Sequence, residues 1–215
     1  MQKLEGTLHH LAVGLPKQMT YEETKKMKTG ICKENVDEVY LAKEGFRGDG
    51  VADLKNHGGF ERAVCLYSAE HYPFWEKECQ AKLPPSAFGE NLTVAGMTEK
   101  DVCIGDVFQA GDAVIQVTQG RVPCKTIDRR TGLGGHFKRI VETGYTGYFC
   151  KVLEEGIIRA DSNIRLVEQD GTGISVLRAH RLYFQQEKDC EGVAALLEVH
   201  ALAEKWRRHF RRLLD

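Results

Sequence analysis

The sequence has no apolar run approaching the ~20 residues that cross a bilayer. Its first fifteen residues lack a long apolar core and carry His9 and His10 in their middle, which argues against a secretory leader. Neither sign of charge is in excess: 30 basic and 31 acidic residues give a formal net charge of −1, which removes any whole-chain electrostatic case for nucleic acid or an anionic membrane. The seven cysteines are odd in number and no two stand in a C-x-x-C pair, so neither a zinc site nor a dithiol redox motif is indicated. Internal repeats and low-complexity tracts are absent too. These absences describe a protein of the reducing cytoplasm, with most of its thiols expected to be small buried hydrophobes.

What is present reads as short strands punctuated by glycine from about Gly30 to Val167. A β-type run at Ala63–Tyr67 precedes an expected helix over Ala69–Leu83, with Ser68 as its N-cap and Pro84-Pro85 as its stop. Asp106–Gln109 and Ala113–Thr118 read as a hairpin, as do Gly147–Leu153 and Ile157–Ala160, and Asn163–Glu168 adds a last strand. Several short strands at this spacing suggest a barrel or a sandwich. Asp170-Gly171-Thr172-Gly173 is a linker. Beyond it Ser175 caps a helix through Tyr183, and Leu202, Trp206, Phe210 and Leu213 share one helical face. Lys205, Arg207, Arg208, Arg211 and Arg212 cover the other faces, either as solvated surface or as a dock for an acidic partner.

Three segments carry residues suited to chemistry. In Gln119–Asp128, Pro123 belongs at a strand end, so Cys124 stands where a strand opens into a loop, flanked by Arg121 and Lys125. Cations favour the thiolate, the form that ligates metal; the competing reading is a buried structural thiol. In Lys55-Asn56-His57-Gly58-Gly59 the paired glycines permit close backbone approach, so the segment is either an anion-binding nest or a tight turn. It follows the equally glycine-rich Gly45–Asp49, and the two can form one phosphate-binding loop system. In Phe88–Leu92, Asn91 offers a donor and an acceptor to a heterocycle edge, or satisfies local backbone instead.

In sequence order, Gly45–Asp49, His57–Gly59, Phe88–Leu92, Ile104–Asp106 and Arg121–Cys124 resemble the MOSC-domain family, specifically its YiiM-type branch. Ile31 and Lys33 look like the family's early strand, and the tail from Ser175 to Trp206 looks like its three-helix domain. Gly120 departs from the proline expected before Arg121. The resemblance implies a mainly β, α+β fold: a MOSC β-barrel-like domain over 1–170 and a small three-helix domain over 174–215. It implies a molybdenum cofactor (molybdopterin), with Cys124 as catalytic sulfur ligand to the metal. Lys33, Arg47, Lys55, His57, Gly58, Gly59, Asn91 and Arg121 are the cofactor-binding candidates. The implied activity is reduction of a small N-hydroxylated substrate such as 6-N-hydroxylaminopurine; the alternative is a cofactor or persulfide carrier acting through Cys124. With no flavin or iron–sulfur signature, a reductase needs a separate electron donor of ferredoxin or flavodoxin type.

Overall fold

The computed structural model describes residues 4–132, 134–184 and 189–214, without the side chains of residues 55 and 56. Strand β1 (Glu5–Val13) is followed by the ribbon β2 (Lys17–Tyr21) and β3 (Lys25–Thr29), then β4 (Glu34–Asn35), β5 (Glu38–Ala42) and β6 (Gly45–Phe46). After the single turn α1 (Leu54–His57) come β7 (Val64–Ser68), α2 (His71–Cys79), β8 (Leu92–Ala95), β9 (Val107–Ala110) and β10 (Ala113–Gly120). Helices α3 (Thr126–Thr131) and α4 (His136–Thr143) separate β10 from β11 (Tyr148–Glu154), β12 (Gly156–Arg159) and β13 (Asn163–Glu168). The tail holds α5 (Val176–Tyr183), α6 (Cys190–Glu198) and α7 (Glu204–Leu214).

Seven strands close into a barrel in the order β13-β9-β10-β11-β7-β8-β1, because β1 pairs again with β13. Closure leaves no sheet edge to manage. The pairs around the ring are antiparallel except β7 and β8, and a parallel pair needs a crossover, which α2 supplies. Alternation fills the interior: on β10, Ala113, Ile115 and Val117 are wholly buried while Val114 and Gln116 are only partly so.

The tail belongs to the same core. Trp206 and Phe210, one turn apart on α7, are fully buried in the cluster that holds Ile115 and Val117. Burying each such side chain stabilises the fold by roughly 2–3 kcal/mol. Ser175 caps α5, its hydroxyl accepting from the Arg178 N–H at 3.2 Å, and Asp189 caps α6 by accepting from the Gly192 N–H at 2.8 Å. A second apolar cluster, around Tyr67, Trp75, Phe88, Ile127 and Ile140, fastens α2, α3 and α4 to the outside of the barrel.

Three expectations about local structure are corrected. Helix α2 begins at His71, and Ser68 caps nothing: its hydroxyl donates to the Glu70 carboxylate. Gln80, left-handed at φ 51°, ends that helix before the prolines are reached. The strands at 147–160 are not a hairpin. β11 already has β10 and β7 on its two sides, so β12 pairs with β5 instead. Glu155 fixes that departure by accepting from the Tyr40 hydroxyl at 2.9 Å and the Lys43 N–H at 2.8 Å. Finally, Ile31 and Lys33 lie in a loop between β3 and β4, not in a strand.

Candidate active site

The site forms where β10 ends. Its last paired residue is Gly120, opposite Tyr148. The Arg121 N–H then donates to the Gly147 carbonyl at 2.9 Å. Pro123, with no N–H to place, leads the chain away from the sheet. The Cys124 carbonyl accepts from the Ile127 N–H at 3.1 Å at the entry to α3. The result holds Cys124, half-buried, on the wall of a cleft of about 400 Å³, within the range usual for small-molecule sites.

Burial opposes ionisation of Cys124, but its hydrogen bond with the His57 side chain, the Arg121 charge, and the Thr126 hydroxyl and N–H together bring its pKa down to about 6. It is therefore mostly thiolate at neutral pH. Arg121 also places a guanidinium nitrogen 3.8 Å from the sulfur of Cys65, a second cysteine of the cleft wall. Burial raises the Cys65 pKa and Arg121 offsets this only in part. The same cation thus faces two thiols with different ionisation.

Opposite Arg121, the floor is a hydrogen-bonded knot around Asp49. Its carboxylate accepts from the Gly14 N–H at 2.9 Å, from the Asn91 side chain at 2.9 Å and from the Lys33 ammonium. Asn91 also donates to the Ala12 carbonyl at 3.2 Å and accepts from the Cys65 N–H at 3.1 Å. Both Asn91 donors are spent on protein, so its amide braces the cleft and does not donate to a ligand. Lys33 lines the cleft, but its charge is matched by Asp49 in a buried pair.

The remaining sequence candidates separate. Arg47 is outside the cleft, exposed, with its guanidinium 4.3 Å above the Tyr40 ring. The side chain of Lys55, on α1, lies outside the described residues. His57, exposed at the end of α1, lines the cleft, and its side chain hydrogen-bonds Cys124. Gly58 and Gly59 line a neighbouring depression of about 340 Å³ that shares Asp49 and Arg62 with the cleft. The Gly58 N–H is taken by the Leu54 carbonyl at 3.3 Å, and its carbonyl accepts from Arg62 at 2.6 Å. That arrangement is a clasped turn, and the Gly58 amide is not available to an anion.

Sequence reasoning missed Asp49 as the hub, Cys65, and the contribution of the tail, whose Tyr183, Lys205 and Trp206 line the cleft. Strand alternation from Ala63, another lining residue, offered a signal for Cys65. Nothing local offered one for the tail.

A family model for the MOSC domain matches residues 53–165, just over half of the chain, and one for the YiiM-like 3-alpha helix domain matches residues 174–215. The chain belongs to the MOSC family. It is 45% identical over 206 residues to YflK of Bacillus subtilis (strain 168), covering 95% of this chain and 93% of that one. The crystal structure of YiiM from Geobacillus stearothermophilus superposes with a TM-score of 0.83 at 31% identity, covering 98% of this chain and all of that one. A protein named Reductase from Gibberella moniliformis (strain M3125 / FGSC 7600) is 35% identical over 166 residues, which is 73% of this chain and 29% of that longer one.

Within this MOSC chain no group of three or more His, Cys, Asp or Glu side chains that could hold a metal is found among the described residues. A metal bound at Cys124 must therefore bring most of its own donor atoms. His57 lines the cleft and its side chain hydrogen-bonds Cys124, so the site also holds the cysteine–histidine pair that nucleophilic catalysis uses. No helix among the described residues is long and apolar enough to cross a membrane.

Proposed function

We propose that this MOSC protein binds a molybdenum–pterin cofactor in the cleft, with Cys124 as the protein's sulfur ligand, and reduces N-hydroxylated substrates such as 6-N-hydroxylaminopurine. The observation that carries the reading is a cysteine ionised at neutral pH near a half-buried guanidinium, on the wall of a cleft large enough for a small organic cofactor. The residues fit the group. The site has a soft anionic donor and no protein cage, as suits a metal whose remaining donors come from a dithiolene. Family membership and the likeness to a reductase support the same reading.

The bound cofactor supplies the two-electron chemistry: N–OH becomes N–H, and the oxygen leaves as water with two protons. The chain's own residues prepare the place. His57 and Arg121 keep Cys124 in the thiolate form that a metal ligand requires. The knot of Asp49, Lys33 and Asn91 fixes the floor, so that little reorganisation accompanies binding. Lys28, Arg62 and Lys205 line the cleft and suit the terminal phosphate of the cofactor. Electrons must come from outside the chain, and an acidic ferredoxin- or flavodoxin-like carrier is proposed to dock on the exposed Arg208, Arg211 and Arg212 of α7. Residues 1–170 and 174–215 are proposed as its two units. The test is the Cys124→Ser variant purified from a cofactor-competent host: it should fold and have no reductase activity, and full activity would remove the proposal.

A further inference from the structure

The depression of about 340 Å³ beside the cleft is not a separate hollow. His57, Asp49 and Arg62 line both, and His57 is the residue that hydrogen-bonds Cys124. A pterin cofactor with its phosphate occupies much of a cleft of about 400 Å³, so a second molecule that must approach Cys124 needs a seat of its own. The depression is the concavity that opens onto the same histidine.

Its rim carries two large apolar side chains in water. Leu54 is 77% exposed and Phe60 62%, while Phe46 beneath them is buried. The Phe60 ring packs against no other aromatic ring among the described residues, which leaves it open to a ligand. Its backbone is nevertheless fixed. Phe60 opens the single turn Phe60–Arg62, in which the Arg62 N–H donates to the Gly59 carbonyl at 2.9 Å. The next residue, Glu61, ties that turn to the barrel and to the tail: its carbonyl accepts from the Thr118 hydroxyl at 2.6 Å and its carboxylate from the Glu204 N–H at 2.9 Å. Glu44 lines the same depression, exposed, with no hydrogen bond or ion pair among the described residues. An aromatic face on an anchored turn and an unpaired carboxylate suit a flat ring that bears an N–H donor.

We infer that this depression is the substrate seat: a planar aminoheterocycle stacks on Phe60 against Leu54, and Glu44 accepts from its exocyclic N–H. The inference rests on the reading of the cleft as a reductase site and adds where the substrate's ring is held. His57, shared by the two concavities, then stands between the bound ring and Cys124.

The test uses the full chain without cofactor, labelled with ¹³C in its phenylalanine rings. The Phe60 resonance is the one lost in Phe60→Tyr. Adenine should shift it saturably and leave that of the buried Phe108 in place. N6,N6-dimethyladenine, which keeps the ring but lacks the exocyclic N–H, should bind severalfold more weakly. Phe60→Ala should weaken adenine binding about tenfold, as for the loss of one stacked base, while Phe60→Tyr should keep it within about twofold. The inference is overturned by a Phe60 resonance that does not move up to the solubility limit of adenine, by equal affinity for the dimethylated base, or by unchanged binding in Phe60→Ala. A Phe60 resonance that follows protein concentration instead of adenine makes the rim a contact between copies of the chain and overturns it too. Because adenine is not reduced and no cofactor is present, a failed reductase assay beside a saturable Phe60 shift counts against the molybdenum chemistry alone.

Discussion

A Cys124 pKa of about 6 makes a quantitative prediction about reactivity. At pH 7 about nine-tenths of such a thiol is ionised, against about 3% for an ordinary cysteine near 8.5. Alkylation at one pH is nevertheless a poor probe. The thiolate fraction rises roughly thirtyfold, but intrinsic nucleophilicity falls by about tenfold as the pKa drops, and the two nearly cancel. The midpoint of the pH–rate profile is the diagnostic. Alkylation with iodoacetamide, read peptide by peptide in a mass spectrometer, should give Cys124 a midpoint near 6, with the exposed Cys190 as internal standard. Arg121→Gln removes a cation that favours the thiolate and should raise the midpoint by about one or more. The thiolate also contributes to stability, and the sign follows from a folded pKa below the unfolded one: the contribution is present above ~8.5 and lost as pH falls through 6. Wild type should therefore gain on Cys124→Ser between pH 6 and 8.5, by at most roughly 3 kcal/mol. A Cys124 midpoint near 8.5, or one unmoved by Arg121→Gln, refutes this electrostatic reasoning.

Three further outcomes follow from the geometry. Asn91→Ala strips partners from the Ala12 carbonyl, the Cys65 N–H and the Asp49 carboxylate, so it should cost about 3 kcal/mol; calorimetry should show a fall in Tm of roughly 6–12 °C in a chain of this size. Arg47→Ala should keep wild-type pterin content after dialysis, since Arg47 does not line the cleft, whereas Arg121→Gln should lower retention about tenfold or more. Arg207 donates to the carbonyls of Leu197 and Val199 at the end of α6, so Arg207→Ala should destabilise by about 1.5–3 kcal/mol, while Arg211→Ala and Arg212→Ala should stay within about 0.5 kcal/mol in urea titrations.

Local patterns were legible where one element decides the outcome. The β9–β10 hairpin, the last strand over Asn163–Glu168, the Ser175 cap and the placement of Trp206 and Phe210 inside all come from period, turn chemistry and capping. Long-range pairing was not legible. Nothing in Gly156–Arg159 says that its partner is Glu38–Ala42, because that depends on β11 being flanked on both sides by strands distant in sequence. The site divides in the same way. Cys124 and Arg121 share one strand end and were visible as a pair. Asn91 was assigned to ligand recognition because its saturation comes from residues 12, 49 and 65, none of them near it in sequence. Arg207 was assigned to a docking face for the same reason.

The most direct measurement is X-ray absorption at the molybdenum edge on wild type and Cys124→Ser, both purified from a cofactor-competent host. If Cys124 is the protein ligand, wild type contains about one molybdenum per chain, and the sulfur coordination falls by one in the variant. Identical sulfur shells in the two proteins, or wild-type protein that carries no molybdenum from such a host, would contradict it.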